Sequence, residues 1–360
     1  MEFKVIPTSV PEWDTFYQQH STLLFHSQTW HDVVRHGLGY PFMYYTLWEG
    51  RHLVLALPVF LINYPIIKIL YASIPYGTII GDYEALPDFS SGLADALRSQ
   101  GIHLLYVGGS YLGCPHLDLP DTSPVCQPIH LLSLRGISQD DIWKTYKPYV
   151  RRDIRKAERA GVTVGSIGSR SEVEDFYLLY LCSMKRNNVP AKYPKKFMYS
   201  IYDRIIALGQ GDIFFAKIEG KKIAGIMVLY SQDTVHYYFG GSLTEYQKYQ
   251  PNEALLHTAI SHAIAMELSV FDFMGSDAHD TGLIHFKEKW GAVSHLTPQY
   301  AIVQHPLRYA LWNRARRLFA SPAVAALIRG MQRFRSVAAT DSHIASQSPS
   351  KGVARSHREM

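Results

Sequence analysis

The chain has 360 residues, 47% of them hydrophobic and 19% charged. That balance excludes a disordered or fibrous chain and leaves room for two domains or one large one. The net charge of +5 is unevenly spread: residues 303–360 hold ten Lys/Arg and two Asp/Glu, or +8, so residues 1–302 sum to −3. Cys114, Cys126 and Cys182 form no CxxC pair and no disulfide framework, so they read as reduced core residues. The opening "MEFKVIPTSVPEWD" lacks a basic segment followed by an apolar one, so no signal peptide is expected.

In chain order, the first ambiguous segment is "LVLALPVFLINYPIIKILYASIPYGTII" (Leu53–Ile80). It is apolar, but Pro58, Pro65, Pro75 and Lys68 interrupt it, whereas a spanning helix needs about 20 uninterrupted apolar residues. It reads as buried strands separated by proline turns. Next, "SGLADALRSQ" reads as a helix and "IHLLYVGGS" as a strand. The segment Tyr146–Val164 carries a helix from Tyr149 to a stop at Gly161, with Val150, Ile154 and Ala157 on one face. Arg151, Arg155 and Arg159 lie on another face. Six Lys/Arg against two carboxylates make this segment either a solvated surface or a contact for an anionic substrate or phosphate.

Two helices follow, "SEVEDFYLLYLCSMKRN" and "PKKFMYSIYDRIIALG", the second stopped by Gly209. Then come three strand-like runs, "DIFFAKIEG", "KKIAGIMVLYS" and "TVHYYFGGS", with hairpin turns between them. "PNEALLHTAISHAIAMEL" is a helix with Pro251 in its first turn, and "VFDFMG" is a strand. Beyond the strands, residues 306–335 read as a basic helix suited to a solvated surface or to anionic lipid or RNA. Residues 336–360 are polar and unpatterned and are expected to be disordered.

The chain echoes itself. "LWEGRHLVLALPVF" from Leu47 matches "KIEGKKIAGIMVLY" from Lys217, with Glu49-Gly50 against Glu219-Gly220 at an offset of 170. "IHLLYVGGS" matches "LSVFDFMGS" at an offset of 166, and a helix precedes each. Two matching element pairs at nearly one offset indicate two copies of one α/β unit.

The stretches "YVRRDIRKAERAGV", "YYFGGSLTEYQKYQPNEALL" and "FDFMGSDAHDTGLIHFKEKWGA", in this order, resemble the FemAB-like family and its acetyltransferase branch related to cellulose-biosynthesis CelD proteins. The resemblance covers about residues 30–300. It implies an α/β (α+β) fold of two tandem GNAT-like domains, with mixed central sheets flanked by helices. The domains would be 1–145 and 146–305. It implies an N-acyltransferase that moves an acyl or aminoacyl group onto an amine of a small molecule, glycan or cell-envelope precursor. The donor would be acyl-CoA, acyl-carrier protein or aminoacyl-tRNA. The acceptor would be a small-molecule or lipid- or nucleotide-linked amine. No metal and no DNA are implied, and the expected location is the cytoplasm, with peripheral membrane contact through the basic C-terminal helix. Two departures stand out. The acetyltransferase branch often has Pro-Gly where this chain has Pro251-Asn252. The long charged arm of many members that use aminoacyl-tRNA is missing between the two helices of the second copy. The alternative is an inactive module that binds an anionic glycan or lipid-linked precursor.

The resemblance places Phe286-Lys287 at the active site. Acyl transfer needs a cation or N–H groups at the developing oxyanion, which Lys287 could supply by charge. His285 or Asp277 could accept the amine proton, or each could be a plain loop residue. Arg152 and Arg155 are candidates for an anionic donor. So are Pro251 and Asn252, which open a helix with free N–H groups, with Glu253 as a cap. Of the adjacent Tyr237 and Tyr238, one faces the core and one a cleft; Tyr238 shares its face with His236, which reads as packed. Asp272 faces away from Phe271 and Phe273. Asp277, His279, Asp280 and His285 are acceptable metal ligands by type, but their spacing fits no compact zinc pattern.

Overall fold

The computed structural model describes residues 1–7, 10, 12–108, 110, 111, 115 and 122–319, and their side chains except those of 122–126 and 316–319. The chain divides into two units, Met1–His305 and Pro306–Met360. The first unit opens with β1 (Glu2–Ile6), α1 (Trp13–His20), α2 (Gln28–Leu38), β2 (Phe42–Glu49), β3 (His52–Asn63) and β4 (Lys68–Tyr71). It continues with β5 (Ile80–Gly81), α3 (Leu86–Ser99), β6 (Leu104–Gly108), β7 (Thr122–Ser133), α4 (Gln139–Thr145) and α5 (Pro148–Arg159). The second copy runs β8 (Thr163–Ser166), α6 (Val173–Arg186), α7 (Lys195–Arg204), β9 (Gly211–Ile218), β10 (Lys221–Tyr230) and β11 (Thr234–Ser242). It ends with α8 (Pro251–Ala265), β12 (Val270–Gly275), α9 (Thr281–Glu288) and β13 (Val293–Val303). The described part of the second unit is the helix α10 (Pro306–Phe319). The rest of the expected basic helix and the tail 336–360 lie outside the described residues.

The echo in the sequence is an echo in the fold. In both copies an antiparallel hairpin (β2–β3, β9–β10) leads to a strand, a helix and a parallel strand (β4–α3–β6, β11–α8–β12). The two Glu-Gly turns differ by one residue. Glu219 and Gly220 are the turn in the second copy, both with positive φ (49° and 79°). Glu49 still pairs with His52 in the first copy, so there Gly50 and Arg51 turn the chain. Positive φ at Gly50 (59°) is glycine's allowance.

The copies exchange their last strands. The sheet order is β1-β2-β3-β4-β6-β13-β7-β12-β11-β10-β9-β8, with β5 paired to β3. Thus β13, late in the chain, closes the first copy against β6, while β7 closes the second against β12. The expected division at residues 145 and 146 falls between α4 and α5, inside one compact unit with one continuous mixed sheet.

Packing follows the amphipathic patterns. On α5, Val150, Ile154 and Ala157 are buried in one core with Leu255, Leu256 and Ile260 of α8. Burying each Val, Leu or Ile side chain contributes roughly 1.5–3 kcal/mol. The opposite sheet face carries α2, α6 and α7, whose Trp30, Phe176 and Phe197 share a second core. There α2 and α7 tie the copies together: Ser200 Oγ donates to the Val33 carbonyl at 3.0 Å.

One turn expectation needs correction. Pro58 lies inside the twelve-residue strand β3, not between strands. It sits where one edge of β3 is unpaired, between the contacts of β5 at Leu55–Ala56 and of β4 at Phe60–Asn63. A residue without an N–H breaks no ladder on that edge. Cys182 is a half-buried free thiol on α6, not a core residue; Cys114 and the side chain of Cys126 lie outside the described residues. Among the described residues, no helix is long and apolar enough to cross a membrane.

Candidate active site

The strands β11 and β12 pair in parallel only through Thr234–His236 and Val270–Asp272, and then diverge. The cause is local to β12. Its register against β7 slips between Asp272, opposite Leu131, and Gly275, opposite Ile129, which is one extra residue. Met274 takes a left-handed φ of 65°, and its N–H is bonded by Asp272 Oδ1 at 2.7 Å. Such a bulge bends a strand out of its ladder. A cleft of about 650 Å³ opens at the divergence, lined by Tyr76, Gln127, Tyr193, Tyr238, Phe239 and the segment from Met274 to His279. The wall on the β11 side is held close to α6. A Cβ on Gly241 would lie 2.4 Å from the Leu179 carbonyl carbon, so only glycine fits there.

Asp272 is fully buried below this cleft. Its Oδ2 accepts from the Tyr76 hydroxyl at 2.5 Å and from His236 Nδ1 at 2.9 Å. With Nδ1 as donor, His236 Nε2 accepts from Ser231 Oγ at 2.6 Å, and Ser231 Oγ accepts from the Leu24 N–H at 2.9 Å. Every partner in this chain therefore has a consistent donor or acceptor role. Burial, with the Asp272 charge beside it, pushes the Tyr76 phenol well above its ordinary range. A second cleft of about 790 Å³, lined by Asp14, Tyr17, Gln28 and Gln210, borders the Ser231 end.

The structure distributes the expected site residues unevenly. Tyr238 and Asp277 line the cleft. Asp277 is also bonded locally, accepting from the His279 N–H at 2.9 Å. Lys287 stands behind the cleft wall, 2% exposed, donating to the carbonyls of Met274 (2.7 Å) and Gly275 (2.9 Å). Burial lowers its pKa to about 8, opposed by the charges of Asp272 and Asp280.

The other candidates lie away from the cleft. His285 is exposed and meets the Tyr149 hydroxyl at 3.1 Å. Phe286 packs against the core of the α5 and α8 face, with Lys289 Nζ 4.6 Å from its ring. Arg152 and Arg155 are exposed on α5, where Arg152 pairs with Asp153 and Arg155 lies over Trp143. Pro251 and Asn252 open α8. Glu253 is no cap: its carboxylate pairs with Lys289 at 2.8 Å and is 8% exposed, so it links the start of α8 to the end of α9. His236 is packed, as expected, but it is also part of the Asp272 chain. Among the described residues no group of three or more His, Cys, Asp or Glu could hold a metal ion.

Tyr76 and Gln127 were not singled out by the sequence. Tyr76 is 196 residues from its partner Asp272, and no local spacing signals that contact. Asp272 between two phenylalanines was the one available cue.

A parallel strand pair that splays beside an intervening helix, with a cleft at the divergence, is the GNAT acyltransferase arrangement. Residues 145–288 match the family model described as an acetyltransferase (GNAT) domain. The chain thus carries a GNAT-type N-acyltransferase domain, set in a FemAB-like tandem fold. It is similar to the crystal structure of FemX, with a TM-score of 0.67 and 14% identity over 86% of this chain and 99% of that one. It is also similar to L-PGS from Bacillus licheniformis, with a TM-score of 0.57 and 12% identity over 86% and 97%. A third similar structure is a tandem GNAT protein from the clavulanic acid biosynthesis pathway, with a TM-score of 0.51 and 10% identity over 85% and 99%. No curated protein matches the chain by sequence.

Proposed function

We propose that the protein transfers an acyl or aminoacyl group to the amine of a small-molecule, glycan or cell-envelope precursor held in the cleft between β11 and β12. The observation that carries this reading is the cleft itself, which opens at the strand divergence of the matched GNAT domain. Its lining carries the aromatic rings of Tyr76, Tyr193, Tyr238 and Phe239 and one carboxylate, Asp277, a lining suited to a neutral amine on an apolar or sugar framework. The donor approaches from the opposite sheet face. There Arg152 and Arg155 offer charge, and Pro251 and Asn252 begin a helix whose first N–H groups can meet phosphate. Acyl-CoA, acyl-carrier protein and aminoacyl-tRNA all present phosphates and a thioester or ester, so this face suits each.

Lys287 fixes the Met274–Gly275 corner, and its charge lies beside the reacting carbonyl. Phe286 supports α9 from below. His285 and Asp277 border the two approaches and orient substrate there. The likeness in fold to FemX and to the C-terminal domain of an Agrobacterium fabrum protein described as a putative lysylphosphatidylglycerol synthetase supports an envelope acceptor, which the protein would meet at the inner membrane face. The basic α10 would supply the membrane contact.

The test is a two-stage screen of the purified protein. Thermal shifts are recorded with acetyl-CoA, acetyl-acyl-carrier protein and alanyl-tRNA. Transfer is then followed by mass spectrometry with glucosamine, lysine and nucleotide-linked or lipid-linked amino sugars as acceptors. A donor-dependent shift with product formation is expected. Binding of the acceptors without turnover on any donor would leave a binding module instead.

A further inference from the structure

We propose that Tyr76 and Asp272 form the proton-accepting pair of the transfer reaction, with the Tyr76 oxygen touching the acceptor amine and Asp272 receiving the proton through it. The inference rests on the acyl-transfer reading and adds to it the group that takes the proton.

The geometry leaves Tyr76 one role. Its hydroxyl proton is committed to Asp272 Oδ2 at 2.5 Å, so the phenol oxygen presents lone pairs to whatever approaches. Tyr76 lines the cleft, and its position comes from the first copy, after β4, while Asp272 comes from β12 of the second. The carboxylate has no route to the cleft of its own, because it is fully buried. Three donors fix it: Tyr76, His236 Nδ1 and the Met274 N–H. They hold both oxygens in place without supplying a countercharge from lysine or arginine in direct contact. His236 is a positioning residue, itself anchored by Ser231.

A neutral amine attacks the donor carbonyl: the N–C bond forms as the C=O π pair moves onto oxygen, so the tetrahedral intermediate carries an oxyanion and a positively charged nitrogen. That nitrogen is more acidic than the free ammonium ion, so its proton can pass to a general base at this stage. Its N–H bond breaks as a proton passes to Tyr76 Oη, and the phenol's own proton passes to Asp272 Oδ2. The oxyanion pair then re-forms C=O as the C–S or C–O bond to the donor breaks, and that bond's electron pair leaves with the sulfur or oxygen, which is protonated from water. Asp272 returns its proton to water when the product leaves, so the net reaction is amine plus acyl donor giving amide plus free thiol or alcohol.

The test uses Tyr76→Phe and Asp272→Asn on the full chain, with the donor and amine on which the wild-type protein turns over in the screen above. A kcat loss of about 100-fold or more is expected for each, with KM within about threefold, as for removal of a general base. The acid limb of the wild-type kcat profile disappears in Asp272→Asn. Melting curves and circular dichroism establish that each variant is folded. If Asp272→Asn does not fold, Tyr76→Phe decides alone, because it removes one oxygen and keeps the ring. Wild-type kcat in folded Tyr76→Phe overturns the proposal while the acyl-transfer reading stands. Absence of transfer by the wild-type protein with every donor overturns both.

Discussion

The Tyr76 hydroxyl and the Asp272 carboxylate meet at 2.5 Å although they belong to different copies of the repeated unit. Neither copy alone contains the pair. The exchange of β7 and β13 creates the condition for it, since β12 is seated against a strand of the first copy. The tandem arrangement therefore builds the floor of the cleft and is more than a duplication of an independent domain.

Lys287 should impose a pH dependence of its own. Burial holds its pKa at about 8 against 10.5 for the free side chain. Below pH 8 both folded and unfolded chains carry the charge, and the fold bears the cost of burying it. Between about 8 and 10.5 the unfolded chain binds more protons, so this contribution to stability rises with pH, by roughly 3 kcal/mol over the full window. Lys287→Met should flatten that rise in melting experiments from pH 7.5 to 10. If its charge assists the oxyanion, wild-type kcat also falls as pH passes about 8. An alkaline limb that persists unchanged in Lys287→Met would remove Lys287 from the chemistry.

Charge reversal at Arg152 and Arg155 separates donor binding from the acceptor cleft. Both side chains are exposed on α5 and away from the residues that line the cleft. Arg152→Glu with Arg155→Glu should raise KM for a phosphate-bearing donor about tenfold or more and leave kcat within about twofold, the mark of lost ground-state binding. The effect should shrink at high salt, because exposed charges are screened beyond roughly 8–10 Å at physiological ionic strength. A salt-independent change, or one confined to the acceptor's KM, would contradict this placement.

Gly241→Ala tests the cleft wall by packing. The new methyl would lie 2.4 Å from backbone carbon of Leu179, and backbone cannot swing aside as a side chain does. A loss of roughly 1–3 kcal/mol is expected, the usual cost of overpacking a core. Gly165→Ala serves as the control, since nothing lies within 4 Å of its added methyl. Equal melting temperatures for the two variants would show that α6 yields.

Much of the fold was legible because it depends on local periodicity. The apolar face of α5 at Val150, Ile154 and Ala157 is spaced for a helix, and it is buried as the spacing requires. The Glu-Gly echo marked the repeated hairpins. The strand exchange was not legible, because the β13–β7 pairing joins Val293 to Leu131 across 162 residues and leaves no trace in either segment. The site divides on the same line. Tyr238 and Asp277 could be placed by strand alternation and by their position after a strand end. The other candidates shared a motif with them but not a face: on the short helix α9, His285 and Phe286 point away from the corner that Lys287 holds. Glu253 looked like a cap because it stands in a first turn, and only the fold brings Lys289 to it.

His26 gives a prediction on acid stability that is independent of catalysis. Its ring is fully buried, and Nε2 accepts from the Thr78 N–H at 3.0 Å, which fixes Nδ1 as the donor to Ser21 Oγ at 2.8 Å. A protonated ring would lose the Thr78 bond and place a charge in the core, and burial lowers the pKa to about 3. The free imidazole titrates near 6.5, so below that pH the unfolded chain binds a proton that the folded chain refuses. Stability is then lost as pH falls from 6.5 toward 3, by roughly 3 kcal/mol at pH 4 from this group alone. His26→Gln retains an oxygen that can accept from Thr78 and has nothing to titrate. Its stability at pH 7 should be lower by about 1–2 kcal/mol, the cost of an imperfect replacement bond, while its decline between pH 6.5 and 4 should be shallower than that of the wild-type protein. Denaturant unfolding at four or five pH values measures both slopes, and parallel curves would mean that another buried group governs the acid transition.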